Sequence, residues 1–408
     1  MADFYQTGVV STFHRFGPLN LEKIENELAH FGELRPVTLI LPAIYDELKG
    51  EALKRIVEEL KEVNYLRQIV ITMGRTDAAQ FKHAREYFSV LPQNKTIVWV
   101  TGPRIRGLID LLEKNELSPG ADGKGRSAWF AFGYILAEGH SEVIALHDCD
   151  ILTYNRELLA RLCYPITSPN LAYEFNKGYY ARVTDRMHGR VTRLLITPLI
   201  RALIKIIGPL PYLNFMNSFR YPLAGEFCLV RDLARVTRIP SDWGLEVSIL
   251  SEVFRNVAVN RICQTELCEV YDHKHQPLSS DDPEKGLLKM CIDITKAIFR
   301  HLAAEGVVLS EGFLRTLQVT YLRTAQDTIK RHEDDAAING LNFDRHQETQ
   351  AVEAFTNGIQ LAAKIFLEDP MSVTFIPTWT RVTSAIPDFL DRLKEAVELD
   401  NNDVGVKR

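Results

Sequence analysis

Residues 141–150 read Ser-Glu-Val-Ile-Ala-Leu-His-Asp-Cys-Asp: an apolar run that breaks off in two carboxylates one residue apart. The run predicts a buried strand. Two anions this close repel each other unless a cation or a set of hydrogen-bond donors compensates them. A solvated loop whose Asp residues cap the next element would account for the pattern. So would a divalent metal holding a diphosphate. A D-x-D alone does not choose between these readings, so the surrounding chain has to.

Upstream, "VTLIL" (37–41), "QIVITM" (68–73) and "TIVWV" (96–100) are continuous and rich in β-branched residues, as is "EVIAL" (142–146). Strands covered on both faces have this composition. Helix-like segments separate them at 52–63, 78–91, 104–115 and 126–139. The alternation predicts an α/β fold with a mostly parallel, doubly wound sheet. Ligands of such sheets sit beyond the carboxyl ends of the strands, where "HDCD" falls.

The middle, about 165–280, is less regular, with strand-like "LAYEF" (171–175), "EFCLV" (226–230) and "VNRICQTEL" (259–267). From about 283 onward the pattern is helical. The expected division is an α/β half over 1–165, a less regular part over 166–295 and a helical extension over 296–408.

Composition narrows the function classes. The 408 residues are 46% hydrophobic and 25% charged, with a net charge of −5, which argues against a general nucleic-acid binder. The N-terminus has no basic head before an apolar core, and six irregularly spaced Cys form no zinc or disulfide pattern, so a cytoplasmic protein with reduced thiols is expected. Residues 193–215 are apolar, but Arg201, Lys205 and three prolines interrupt them, which favours a buried or interfacial amphipathic helix over a membrane span.

Four features join the D-x-D. After the first strand, backbone at Pro42 and Ala43 could approach a flat ring, with a carboxylate, Asp46 or Glu47, for a base or ribose; a capped turn would look the same. After the second strand, Gly74 permits a tight turn and Asp77 can cap the next helix. In "GADGKGRSAWF" (120–130), glycines flank Lys124 beside a helix N-terminus, so an ammonium could reach a phosphate, although the P-loop spacing is absent. In "VYDHKHQPL" (270–278), His273 and His275 could be surface residues, or imidazole could join a carboxylate on a metal.

This order of motifs, with "GRVTRLLITPLI" (189–200), "YPLAGEF" (221–227), "WGLEVSIL" (243–250) and "HKHQPL" (273–278), resembles the retaining GT-A glycosyltransferases of the glucosyl-3-phosphoglycerate and mannosyl-3-phosphoglycerate synthase family. The likeness runs from about 35 to 295 and leaves the helical tail unexplained.

The resemblance implies a GT-A fold and transfer of glucose from UDP-glucose to 3-phosphoglycerate, with Mg2+ or Mn2+. Pro42, Ala43, Ile44 and Asp46 would cradle uracil and ribose, bordered by Gly74 and Lys124. Asp148, with Cys149 beside it, would touch the ribose or sugar end, and Asp150 with His273 would hold the metal. Gly189, Arg190, Val191 and Thr192 would bind the acceptor's phosphate and carboxylate, with His275 nearby. That stretch carries seven Lys or Arg against one acid between Lys177 and Lys205. Ala224, Gly225 and Glu246 would line the transferred sugar, and no covalent nucleophile is implied.

One departure is Lys274-His275-Gln276, where the family tends to carry an asparagine and an arginine. Alternatives are GDP-mannose as donor, a membrane-docked polyprenyl-phosphate transferase, and a catalytically silent nucleotide-sugar sensor or scaffold using the helical tail to bind a partner. Apolar stripes along the tail suggest packing on its own core or a homodimer.

Overall fold

The computed structural model describes residue 6, residues 8–273, residue 278 and residues 282–402. Among these, eight strands form one sheet: β1 (Ser11–Phe13), β2 (Val37–Ile44), β3 (Leu66–Gly74), β4 (Asn94–Trp99), β5 (Val143–Leu146), β6 (Phe175–Tyr179), β7 (Phe227–Val230) and β8 (Ile262–Glu266). Their order across the sheet is β1-β8-β6-β7-β5-β2-β3-β4. Every pairing is parallel except those of β7, which runs antiparallel between β5 and β6. The expected α/β architecture is present.

Side-chain alternation feeds two apolar layers. Ile40, Val70, Ile144 and Leu146 enter one, while Leu39, Leu41, Ile69, Ile71, Val143 and Ala145 enter the other. β3 and β4 lie on one side of β2 and β5 on the other. The sheet therefore has a switch point between β2 and β5, which opens a crevice at their carboxyl ends. Of the irregular middle, "EFCLV" and "VNRICQTEL" contain β7 and β8. "LAYEF" contributes only Phe175, because β6 begins there and continues to Tyr179.

Both expected boundaries fall inside helices, 165 within Arg156–Thr167 and 296 within Gly286–Ala304. The tail shares a core with the sheet: Trp379 stacks on Trp129 with ring centroids 3.9 Å apart. A Cβ at Gly133 would come within 2.1 Å of the Trp379 ring, so only glycine permits that approach. At the sheet's edge Asn401 accepts from the Ile97 N–H at 3.0 Å and donates to its carbonyl at 2.8 Å, completing β4 as a neighbouring strand would. Part of the tail's apolar surface is thus covered within one chain, while Val319 and Ile338 on the helix Glu311–Ile338 stay exposed. The segment 193–215 is split between a π-helical turn, Val191–Ile196, and the helices Thr197–Ile207 and Pro211–Ser218. Among the described residues no helix is long and apolar enough to cross a membrane.

Candidate active site

β5 ends at Leu146, whose antiparallel partner is Phe227 at the start of β7. That register sets His147–Asp148 beside Gly225–Glu226. A Cβ on Gly225 would lie 2.3 Å from Asp148 Oδ2, so the carboxylate rests against bare backbone. Its other oxygen meets Lys124 Nζ at 2.5 Å. The same ammonium reaches Glu246 Oε1 at 3.0 Å. Lys124 opens the helix Lys124–Glu138, and Glu246 lies in the first turn of Leu245–Asn256. Two helix starts and a strand end therefore converge on one cation. Burial opposes the lysine's charge, but Asp148 and Glu246 raise its pKa well above the usual value. Burial likewise works against the Asp148 carboxylate, and Lys124 outweighs it and holds the acid below its ordinary range.

Asp150 faces a different partner. Its Oδ2 lies 3.6 Å from His273 Nδ1. Backbone pins the two loops together through a bridge between Ile151 and His273 and a Leu152 N–H to Asp272 carbonyl bond of 2.8 Å. Burial lowers the imidazole's pKa, and Asp150 more than reverses this. The paired acids are thus compensated separately, Asp148 by an ammonium and Asp150 by an imidazole. The sequence reading foresaw only one cation between them.

Glu47, rather than Asp46, joins this group. Asp46 turns outward, its side chain 76% exposed and paired with Lys49 at 2.8 Å. Glu47 accepts the Ile44 N–H at 2.9 Å. Burial, with Asp150 and Asp148 adding, pushes its carboxyl up to about 7 against the pull of the Ile44 N–H. Pro42 and Ala43 sit in β2 opposite Thr72 and Met73, and Ile44, opposite Gly74, is 38% exposed at the crevice. Gly74 borders the Lys124 loop: a Cβ there would contact Ser127 Oγ at 3.7 Å. Cys149 points away, buried in the apolar layer that holds Ala43 and Tyr271.

Beneath Ala224–Gly225 lie Lys177, counted in the sequence only as one of the basic residues up to Lys205, and Glu226, present in the sequence motif only as part of "YPLAGEF". Lys177 on β6 is buried and donates to the Ala224 carbonyl at 2.5 Å, and burial lowers its pKa to about 8. Glu226 is buried and accepts from the Tyr180 and Tyr271 hydroxyls, each at 2.6 Å. β6 reads Phe-Asn-Lys-Gly-Tyr and Glu226 directly precedes the apolar β7, so no periodicity marks either group as buried.

The 189–192 stretch lies beyond this cluster. Gly189 adopts φ +72°, and Val191 and Thr192 are buried. Arg190 reaches the tail, with Nε 2.8 Å from Glu348 Oε1. Arg182 links the two regions: its guanidinium donates to Tyr221 Oη at 3.3 Å, and Tyr221 Oη would lie 3.0 Å from a Cβ on Gly189. His275 and Gln276 lie outside the described residues.

An acidic strand tip with a lysine and a histidine at the switch point of a mixed sheet, closed by a helical tail, defines a GT-A glycosyltransferase. Solved structures of glucosyl-3-phosphoglycerate synthase from Mycobacterium tuberculosis share the fold. One, with Mg2+ and uridine diphosphate, matches with a TM-score of 0.54 at 19% identity, covering 74% of this chain and 89% of that one. No protein-family model matches the chain. Glucosyl-3-phosphoglycerate synthase of Persephonella marina is 47% identical over 99% of this chain and all of its own length. That of Methanococcoides burtonii is 40% identical over 98% of both. The chain belongs to the glucosyl-3-phosphoglycerate synthase family.

Proposed function

We propose that the chain transfers glucose from UDP-glucose to the free hydroxyl of 3-phosphoglycerate with retention of configuration. The observation that carries this is the division of the D-x-D acids between Lys124 and His273 at the switch point. Kinship along the whole chain supports it. The crevice between β2 and β5 takes the nucleotide, with Pro42, Ala43 and Ile44 against the base and Gly74 beside it.

The donors fit a hard divalent cation. Asp150 and His273 supply one oxygen and one nitrogen from loops tied by backbone, although among the described residues no group of three or more His, Cys, Asp or Glu is gathered for an ion. Two protein ligands completed by phosphate oxygens and water are a common arrangement for Mg2+ at phosphate substrates. When bound, such an ion neutralises charge developing on the departing diphosphate. The chain's own residues do the rest. Lys124 presents a fixed ammonium to the donor, held by Asp148 and Glu246. Gly225 lets backbone approach the sugar, and Glu246 accepts from its hydroxyls. Arg190 takes an acceptor oxyanion.

A cytoplasmic setting goes with this reading, supported by six free, buried cysteines. The deciding experiment is UDP release by the purified protein with Mg2+, UDP-glucose and 3-phosphoglycerate. Release dependent on both substrates is expected. No release above background overturns the assignment, and GDP release from GDP-mannose, with none of UDP from UDP-glucose, would move it to the mannosyl branch.

A further inference from the structure

The helical tail reaches across the chain to the 189–192 stretch. Glu348, in the first turn of the helix Arg345–Glu368, is buried and paired with two arginines: Arg190 Nε at 2.8 Å and Arg193 Nη2 at 2.9 Å. Its neighbour Gln347 accepts from Arg190 Nη2 at 3.1 Å. Just before this helix, Asn342 pairs with Asp185: the Asn342 N–H donates to the Asp185 carbonyl at 2.8 Å and its amide to the carboxylate at 3.1 Å. The preceding helix, Glu311–Ile338, contributes the Tyr321 hydroxyl, which donates to the Leu194 carbonyl at 2.8 Å. The tail thus grips residues 185–194 at both ends and in the middle. The gripped backbone is itself unusual, a left-handed glycine followed by a π-helical turn, a geometry often found at functional sites.

Charge and geometry give this grip a purpose. One carboxylate between two guanidiniums leaves a net positive charge, so the pocket still attracts an acid. The side-on edge of Arg190, Nε with Nη2, is committed to Glu348 and Gln347. The end-on edge remains for a planar oxyanion, and the side chain stays 31% exposed. A long, mobile side chain is thereby held in one rotamer before the ligand arrives, which lowers the ordering cost of binding.

We infer that Glu348 is a positioning residue of the acceptor site, fixing Arg190 so that its free edge meets the carboxylate or phosphate of an acidic acceptor. This rests on the acceptor role proposed above for Gly189–Thr192. It makes the tail a working part of the site.

The test varies 3-phosphoglycerate at saturating UDP-glucose and Mg2+. Glu348→Gln keeps the shape and removes the charge. Its KM for 3-phosphoglycerate should rise roughly ten-fold, the lower end of what supporting groups behind metal ligands contribute, while the KM for UDP-glucose stays unchanged. Gln347→Ala changes an exposed position where folding is not at stake, and it should raise the acceptor KM about two-fold, as loss of one weak hydrogen bond would. In an Arg190→Ala background, Glu348→Gln should add no further rise. An unchanged or lower acceptor KM in both single variants, or equal losses for both substrates, overturns the positioning role alone. A wild-type chain that turns over UDP-glucose only with a neutral acceptor overturns the acceptor reading, and this inference with it.

Discussion

Lys124 Nζ lies 2.5 Å from Asp148 Oδ1, in a pocket where each side chain is only about a quarter exposed. Removing the ammonium leaves Asp148 and Glu246 facing each other without a cation. Breaking a buried pair costs about 3–5 kcal/mol, and the partial exposure here puts Lys124→Met near the low end, about 3 kcal/mol. Loss of a preorganised charge at the departing diphosphate should also lower kcat/KM about 100-fold. Thermal unfolding and steady-state kinetics on one preparation check both. A variant that binds and turns over UDP-glucose normally would remove Lys124 from the donor site.

Gly225 tests the same cluster from the opposite side. The methyl of Gly225→Ala would sit 2.3 Å from Asp148 Oδ2 and push the carboxylate off Lys124. A displacement of about 1 Å at a reacting centre can cost about 100-fold in rate, and that is the expected loss of kcat. Gly107 in the helix Pro103–Lys114 is the control, with open space where its Cβ would be. Gly107→Ala should leave kinetics unchanged and stabilise the helix by about 0.5–1 kcal/mol.

The parts of this site differ in how readable they are in sequence. Strands β2 to β5 announce themselves because burial on both faces demands unbroken apolar runs. Asp77 is readable as a cap because the pairing is local, and Gln80 N–H indeed donates to it at 2.9 Å. Asp46 and Glu47 are harder to tell apart. A one-residue change of phase in the 3-10 turn Tyr45–Lys49 decides which acid faces the crevice, and no periodicity fixes that phase. Lys177 is hidden by chemistry: a lysine in a short strand ordinarily marks an exposed face, and here a carbonyl acceptor offsets its burial. Glu348 is hidden by distance, since its partner Arg190 is 158 residues away and only the docked tail brings them together.

Acid should destabilise the protein through buried histidines. Burial, with Arg255 and Arg300 adding, holds His301 to about 3, where its ring meets Ser248 Oγ at 3.3 Å. Burial and Arg193 hold His332 to about 4, with Asp335 and Glu348 opposing. An unfolded histidine titrates near 6.5, so between about pH 6.5 and 4 the unfolded chain binds protons that the folded chain refuses. Stability is therefore lost as pH falls through that window, by about 1.4 kcal/mol per unit for each ring. Buried His147, also held to about 4, acts in the same sense, while Glu47, raised to about 7, and the buried acids Glu25, Glu226, Glu252 and Asp293, raised as well, act in the opposite sense. The histidine contribution to stability is therefore lost from pH 6.5 to 4.5, and removing one ring isolates it. In His301→Gln the loss should shrink by about 3 kcal/mol, read by denaturant titration at both pH values.

Asp150 and His273 carry the metal prediction, and it separates from the Lys124 prediction because the two pairs sit on different loops. Asp150→Asn keeps the shape but removes the charge that a dication needs, and it leaves the Lys124–Asp148 contact in place. Apparent Mn2+ affinity should fall about 10–100-fold, and His273→Gln should fall within the same range. Mn2+ binding in the presence of UDP, followed by paramagnetic resonance of the free ion, reads this without depending on turnover. Melting temperature in EDTA should be nearly unchanged for both variants, because the backbone bridge between Ile151 and His273 holds the loops without an ion. Unchanged Mn2+ affinity in Asp150→Asn would show that the ion binds elsewhere, and the D-x-D would then be a purely electrostatic device built around Lys124.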